Sequence, residues 1–84
     1  MVVADGGRIN NQGSAGGTII IAPGGTLINH GHVENVTNST LRNYGTITNF
    51  ERFEVRAGTE FGNWGEINEI APLNIHRNAI ILPH

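Results

Sequence analysis

Short segments in which apolar and polar residues alternate recur along the chain, and each segment closes with Gly or Asn. Alternation with a period of two places successive side chains on opposite faces of an extended strand. Gly and Asn readily adopt φ > 0 and turn the chain sharply. The pattern therefore predicts short strands joined by turns, with one apolar residue of each segment facing a common side: Leu27, Val33, Leu41, Ile47, Phe61 and Ile67.

The triplet Asn-x-Gly is an internal repeat that begins at Asn11, Asn29, Asn43 and Asn63, so its copies are unevenly spaced along the chain. Segments this short cannot bury a face alone. Stacking successive copies about 4.8 Å apart would line their apolar residues into one core. Asn residues at equivalent corners would then stack as well, and each side-chain amide would bond to the copies above and below it.

A helix over residues 32–44 or 46–57 is the competing interpretation, because these are the longest stretches without Gly or Pro. Val, Thr and Asn are poor helix formers, however, and a helix would leave the repeat unexplained. The sequence therefore favours an all-β fold.

The segment Leu41-Arg42-Asn43-Tyr44-Gly45-Thr46-Ile47-Thr48-Asn49 resembles the repeats of Asn/Gly-rich parallel β-helices in haemagglutinin-type adhesins, autotransporter passenger domains and phage tail spikes. The resemblance covers roughly residues 18–71. It implies a short right-handed parallel β-helix (β-solenoid) of about four to five imperfect turns, in a structural or surface-attachment setting such as a virion or cell surface. No catalytic motif is carried over. The chain then divides into a Gly-rich leader or first turn (1–17), solenoid repeats (18–71) and a terminal capping or assembly strand (72–84).

Composition narrows the function classes. The chain has 84 residues, enough for one domain, and 12 of them are Gly and 11 are Asn. A formal charge of −2 and a pI near 6.0 give neither the basic surface of a nucleic-acid binder nor the acidity of a nucleic-acid mimic. Cys is absent, which excludes disulfides, thiolate metal sites and a cysteine nucleophile. The longest apolar run, residues 19–22, is too short for a membrane span. We expect a soluble chain that binds no nucleic acid.

The middle position of Asn-x-Gly holds Gln12, His30, Tyr44 and Trp64. If the repeats stack in register, these side chains form one outward column. His, Tyr and Trp present flat faces and polar edges, on which a sugar ring or a partner protein can dock. We therefore predict a binding face made of His30, Tyr44 and Trp64. The alternative is an aromatic stack that covers a corner of the solenoid and binds nothing.

Other groups of polar residues suggest chemistry only weakly. His30, His32 and Glu34 include zinc-ligand types, but no second cluster follows at a recognisable spacing, so we predict no metal site and no cofactor. Glu34, Glu66 and Glu69 occupy different copies with nothing that marks a catalytic pair, so we predict no enzyme. The opposite charges interleaved over residues 51–56 look like a solvated strand face.

The ends of a solenoid expose unpaired backbone and a slice of core unless they are capped. The terminal residues Ile80, Ile81 and Leu82 could fold over one end or pair with another copy of the chain. We expect a homo-oligomer, formed by end-to-end stacking or by three chains wrapped together. The preferred function is a non-enzymatic structural or attachment module. The alternatives are a small phage- or bacterium-encoded binding or inhibitory protein that acts on a host protein, and a carbohydrate-active β-helix.

Overall fold

A computed structural model describes residues 2–4, 6–11 and 17–83. Over this part of the chain every regular element is a strand, and all strand pairs are parallel. Strands occupy most of residues 32–44 and 46–57, which overturns the helical alternative. The predicted all-β fold, a short parallel β-solenoid, is confirmed.

The strands, β1–β12 in chain order, form three four-stranded sheets. The first sheet contains β1 (Val2–Val3), β4 (Thr26–Asn29), β7 (Thr46–Asn49) and β10 (Glu66–Glu69). The second contains β2 (Arg8–Asn11), β5 (His32–Asn35), β8 (Arg52–Val55) and β11 (Asn74–Ile75). The third contains β3 (Thr18–Ile21), β6 (Thr40–Asn43), β9 (Glu60–Asn63) and β12 (Ile80–Leu82). Three consecutive strands, one in each sheet, make one coil, so the described residues form four coils.

The coils have a constant length from the second coil onward. Thr26 pairs in register with Thr46, and Thr46 with Glu66, so the same offset separates each pair. The first coil is longer than the others. Val2 pairs with Ile28 and Arg8 with His32, and both pairs are further apart along the chain than the pairs of the later coils. Parts of the segments expected to be a leader and a terminal strand belong to these coils: β1 and β2 lie within residues 1–17, and β11 and β12 lie within residues 72–84.

The core consists mainly of the second residues of the strands, with the fourth residues Ile21 and Val55 added to it. In the first sheet Leu27 is in register with Ile47, and Ile47 with Ile67. Phe53 and Phe61 meet edge to face across the interior, with ring centroids 6.3 Å apart. Five of the six apolar residues predicted to face inward are buried, and Ile67 in the last coil packs against them partly buried. The predicted pattern of core residues is confirmed.

The sheets meet at three corners. The first corner joins the first sheet to the second and contains residues 30–31, 50–51 and 70–71. The second corner joins the second sheet to the third and contains residues 36–39, 56–59 and 76–79. The third corner joins the third sheet to the first and contains residues 44–45 and 64–65. In the first coil, residues 4 and 6–7 lie at the first corner and residues 22–25 at the third.

A stacked pair of Asn side chains lies at each of the three corners, as predicted. The amide nitrogen Nδ2 donates to Oδ1 of the Asn in the next coil in three pairs, at 3.2 Å for Asn11 to Asn35, 2.8 Å for Asn29 to Asn49 and 2.9 Å for Asn43 to Asn63. A second bond from each donor reaches a backbone carbonyl of the strand that follows in the next coil or sheet. The Asn35 ladder stops because its register partner is Val55, which leaves Asn35 Nδ2 buried without an acceptor.

The Gly of Asn-x-Gly is required by the close approach of neighbouring coils. A Cβ added to Gly45 would lie 2.2 Å from the carbonyl oxygen of Gly25, and one added to Gly65 would lie 2.1 Å from that of Gly45. The Gly45 N–H also donates to Oδ1 of Asn43 at 3.0 Å. The triplet is therefore a corner motif. Because its copies at Asn29 and Asn43 lie at different corners, its spacing along the chain does not measure the coil repeat.

Candidate functional site

Tyr44 and Trp64 form an exposed aromatic pair at the third corner. Their rings are nearly parallel, at 10°, with centroids 5.1 Å apart, and the residues are 39% and 46% exposed. The Trp64 ring also lies over Gly62 on the outer face of β9, since a Cβ at Gly62 would be only 2.3 Å from Cζ3 of the ring. The glycine thus makes room for the indole against the sheet.

His30 lies at the first corner, so the single column predicted from the sequence is wrong. His30 stacks on Phe50, with ring centroids 4.5 Å apart and an angle of 12° between the planes. The aromatic residues are divided between two corners because Asn29 belongs to a different corner from Asn43 and its motif partner Asn63. Gln12, the other predicted member of the column, lies outside the described residues. Whether any of these side chains binds a partner stays a prediction.

Sequence analysis missed Phe50 because it is not part of an Asn-x-Gly triplet. Aligning the chain with itself at the offset of one coil would have found it. Asn29 is in register with Asn49, so the alignment matches the next residues, His30 and Phe50. A shallow groove of about 550 Å³ adjoins this stack, lined by Val2, Ala4, His30, Phe50 and Glu51.

The outer face of the second sheet carries an ion-pair network instead of the solvated charges expected over residues 51–56. Glu34 and Glu54 are register neighbours and are only 8% and 6% exposed. Arginine side chains cover both carboxylates. Arg56 bridges them, with Nη2 at 2.6 Å from Glu34 Oε2 and at 2.9 Å from Glu54 Oε2. Arg52 also donates from Nε to Oε1 of Glu54.

Hydrogen bonding within this network shifts protonation equilibria. Arg56 donates to Glu34 at 2.7 Å, and this bond is the largest cause of a pKa of Glu34 below its usual range, against the opposing effect of burial. Arg8 adds a second bond at 3.1 Å. The same Glu34 contact raises the pKa of Arg56. Glu34 is therefore held as a carboxylate.

The candidate ligands and carboxylate pairs considered from the sequence are not brought together. His32 Nε2 lies 3.4 Å from Oε1 of Glu54. Within the described residues, no group of three or more His, Cys, Asp or Glu could hold a metal ion. Glu34 lies on the second sheet, whereas Glu66 and Glu69 lie on the first, and Glu69 accepts the N–H of Leu73 at 2.8 Å.

The predicted assembly residues lie on β12 in the last coil. Ile80 is 47% exposed and Ile81 is 41% exposed, although Ile81 occupies the inward position in register with buried Phe61. Leu82 is partly buried. Over the described part of the chain, no helix is long and apolar enough to cross a bilayer.

The chain matches no protein-family model, no curated protein and no solved structure. Its class is therefore given by the fold itself: it is a repeat protein of the parallel β-solenoid type, with four coils in the described residues.

Proposed function

We propose that the protein is a non-enzymatic structural or attachment module, which displays the faces of a stiff β-solenoid and assembles with further copies of itself. The continuous stack of core and corner residues carries this proposal. Buried apolar side chains fill the interior of the coils, and amide ladders link coils at every corner. Neighbouring coils thus share hydrogen bonds and core contacts, as expected of a rigid display element. The setting is the one implied by the resemblance to adhesin, autotransporter and tail-spike repeats.

The proposed assembly surface is the last strand. Three large apolar residues lie on it, and two of them are more than 40% exposed in the single chain. A second copy that covers Ile80 and Ile81 would bury apolar surface and pair free strand edges. This contact makes the assembly self-specific, since the same parallel geometry would continue from one copy to the next.

Light scattering coupled to size-exclusion chromatography, over a hundredfold range of concentration, tests the proposal. We expect an oligomer that Ile81→Lys weakens at least tenfold, because Ile81 is in the inward position in register with Phe61 and the introduced charge would be buried in the contact. Ile70→Lys is the matched control, since Ile70 is 61% exposed at the first corner of the same coil. A monomer at every concentration would contradict self-assembly.

A second candidate function is a small binding or inhibitory protein that acts on a host protein. The exposed Tyr44 and Trp64 pair favours it, because aromatic residues dominate the energetics of many protein contacts. In this case Trp64→Ala should leave the fold intact and abolish capture of the partner. Phe50→Ala at the other aromatic corner should leave capture unchanged, and a scaffold without such a contact would tolerate both changes.

A further inference from the structure

A cleft of about 300 Å³ opens on the second sheet beside the second corner, a volume at the lower end of small-molecule sites. We call it the Asn74 cleft. Its polar lining is contributed by three successive coils: Thr37, Glu54, Arg56, Asn74 and His76. None of these residues belongs to the aromatic corners or to the assembly strand.

Glu54 supplies acceptor oxygens at the base of the cleft. Oε1 accepts from Arg52 and lies 3.4 Å from His32 Nε2, and Oε2 lies 2.9 Å from Arg56. An ionised carboxylate offers about four acceptor positions, and the two arginine contacts do not use all of them; the small part of Glu54 that is exposed lines the cleft. The arginines meanwhile neutralise its charge.

The other polar groups of the cleft have defined roles as donors or acceptors. His76 Nδ1 accepts the N–H of Asn78 at 3.0 Å, so the neutral ring carries its hydrogen on Nε2 and can donate from there. Thr37 donates its hydroxyl hydrogen to the carbonyl of Ala57 at 2.8 Å, which leaves the hydroxyl oxygen as an acceptor. Asn74 is in register with Glu54, and within the described residues its exposed amide has no partner.

The cleft has no dominant charge of either sign, because its Glu54 carboxylate and Arg56 guanidinium form an ion pair at 2.9 Å. A neutral ligand with several hydroxyl groups can donate to Glu54 and Thr37 and accept from Asn74 and His76 in the same pose. Val55 and Ala57 add an apolar wall for C–H groups. We infer that the Asn74 cleft binds a single sugar unit of an uncharged glycan. This inference rests on the attachment role proposed above and names its ligand class.

The test is a titration of the isotope-labelled protein, followed by two-dimensional amide NMR, with methyl glycosides of glucose, galactose, mannose and N-acetylglucosamine. Glucuronate, glucosamine and inorganic phosphate serve as charged probes. We expect at least one neutral glycoside to shift the amides around residues 37, 57, 74 and 76. Asn74→Ala should weaken that binding at least tenfold. Thr37→Val, which removes the hydroxyl acceptor, should also weaken that binding. Asn68→Ala is the control: it changes an exposed Asn of the first sheet and should leave the affinity unchanged.

Three outcomes would overturn the inference: no neutral glycoside shifts these amides even at saturating concentration, the shifts map to the aromatic corners, or only a charged probe binds. Amide shifts far from the cleft report whether each variant is folded. Self-assembly is read from the molar mass in a separate experiment, so failure of sugar binding and failure of assembly are distinguished.

Discussion

Replacing Asn29 by Ala removes one corner amide and tests how much the ladders stabilise the solenoid. Asn29 is fully buried. Its Nδ2 donates to Asn49 Oδ1 at 2.8 Å and to the carbonyl of Arg52 at 2.9 Å, and its Oδ1 accepts the N–H of Gly31 at 3.0 Å. The substitution therefore deletes three hydrogen bonds, which involve the buried Oδ1 of Asn49, the carbonyl of Arg52 and the N–H of Gly31.

A net contribution of about 0.5–1.5 kcal/mol per hydrogen bond gives an expected loss of about 2–4 kcal/mol in the free energy of unfolding. Domains of this size have a total of roughly 4–13 kcal/mol, taken at 0.05–0.15 kcal/mol per residue. The variant should therefore lose a large share of its stability. At about 4–8 °C per kcal/mol, the melting temperature should fall by roughly 10–30 °C.

Urea unfolding, followed by the fluorescence of Trp64 and by far-ultraviolet circular dichroism, provides the measurement. The two transitions must coincide, because a repeat protein can unfold coil by coil and a single free energy would then have no meaning. Asn29→Asp keeps the shape of the side chain but removes its hydrogen-bond donors. It retains the acceptor for Gly31 and loses both Nδ2 bonds. We expect it to be at least as destabilising as Ala at pH 7.

Asn68→Ala is the matched control. Asn68 is exposed and makes one bond, at 3.3 Å, to the hydroxyl of Thr48, so its removal should change stability by less than about 0.5 kcal/mol. If Asn29→Ala were no more destabilising than Asn68→Ala, the buried ladders would not be a major source of stability, and the argument for a stiff solenoid would fail.

Three further perturbations follow from other contacts. Gly45→Ala should cost about 1–3 kcal/mol in urea unfolding, because the added Cβ would meet a backbone oxygen of the preceding coil at 2.2 Å, and an unchanged midpoint would contradict this close approach. Gly62→Ala should displace the indole of Trp64 and shift its emission to longer wavelength without unfolding the chain, as checked by circular dichroism. Because the folded pKa of Glu34 is lowered, its contribution to stability is present above the unfolded value of about 4.3 and is lost as pH falls through the lower folded value. Glu34→Gln should therefore lose less stability than the unchanged protein between pH 7 and pH 3, and equal losses would show that Glu34 is not held as a carboxylate by its arginines.

The fold could be predicted because local chemistry dictates it. Alternation assigned inward positions such as Leu41 and Ile47 correctly, and the recurrence of Asn at segment ends indicated the ladders. Both signals depend only on a residue and its near neighbours. They hold whichever coil a segment belongs to.

The arrangement of the site could not be read in the same way, because it depends on which segments are stacked. Asn-x-Gly occurs at more than one corner, so aligning the triplets put His30 in a column with Tyr44 and Trp64. The coverage of Glu54 was also missed. It requires Arg56 from the following corner and Arg52 from the same strand to fold back over one carboxylate.

Because the offset between the later coils is constant, the solenoid could be lengthened in steps of one whole coil. A duplication of residues 46–65 would begin and end at equivalent points of a coil. Every inward side chain and every corner Asn of the inserted coil would then stack on the identical residue of the original coil. Each such duplication would lengthen the solenoid by about 4.8 Å, the spacing between paired strands. Insertions that are not a whole number of coils would have to be accommodated at the corners, as the extra residues of the first coil are. The length of the solenoid could therefore change by whole coils while its cross-section stays the same.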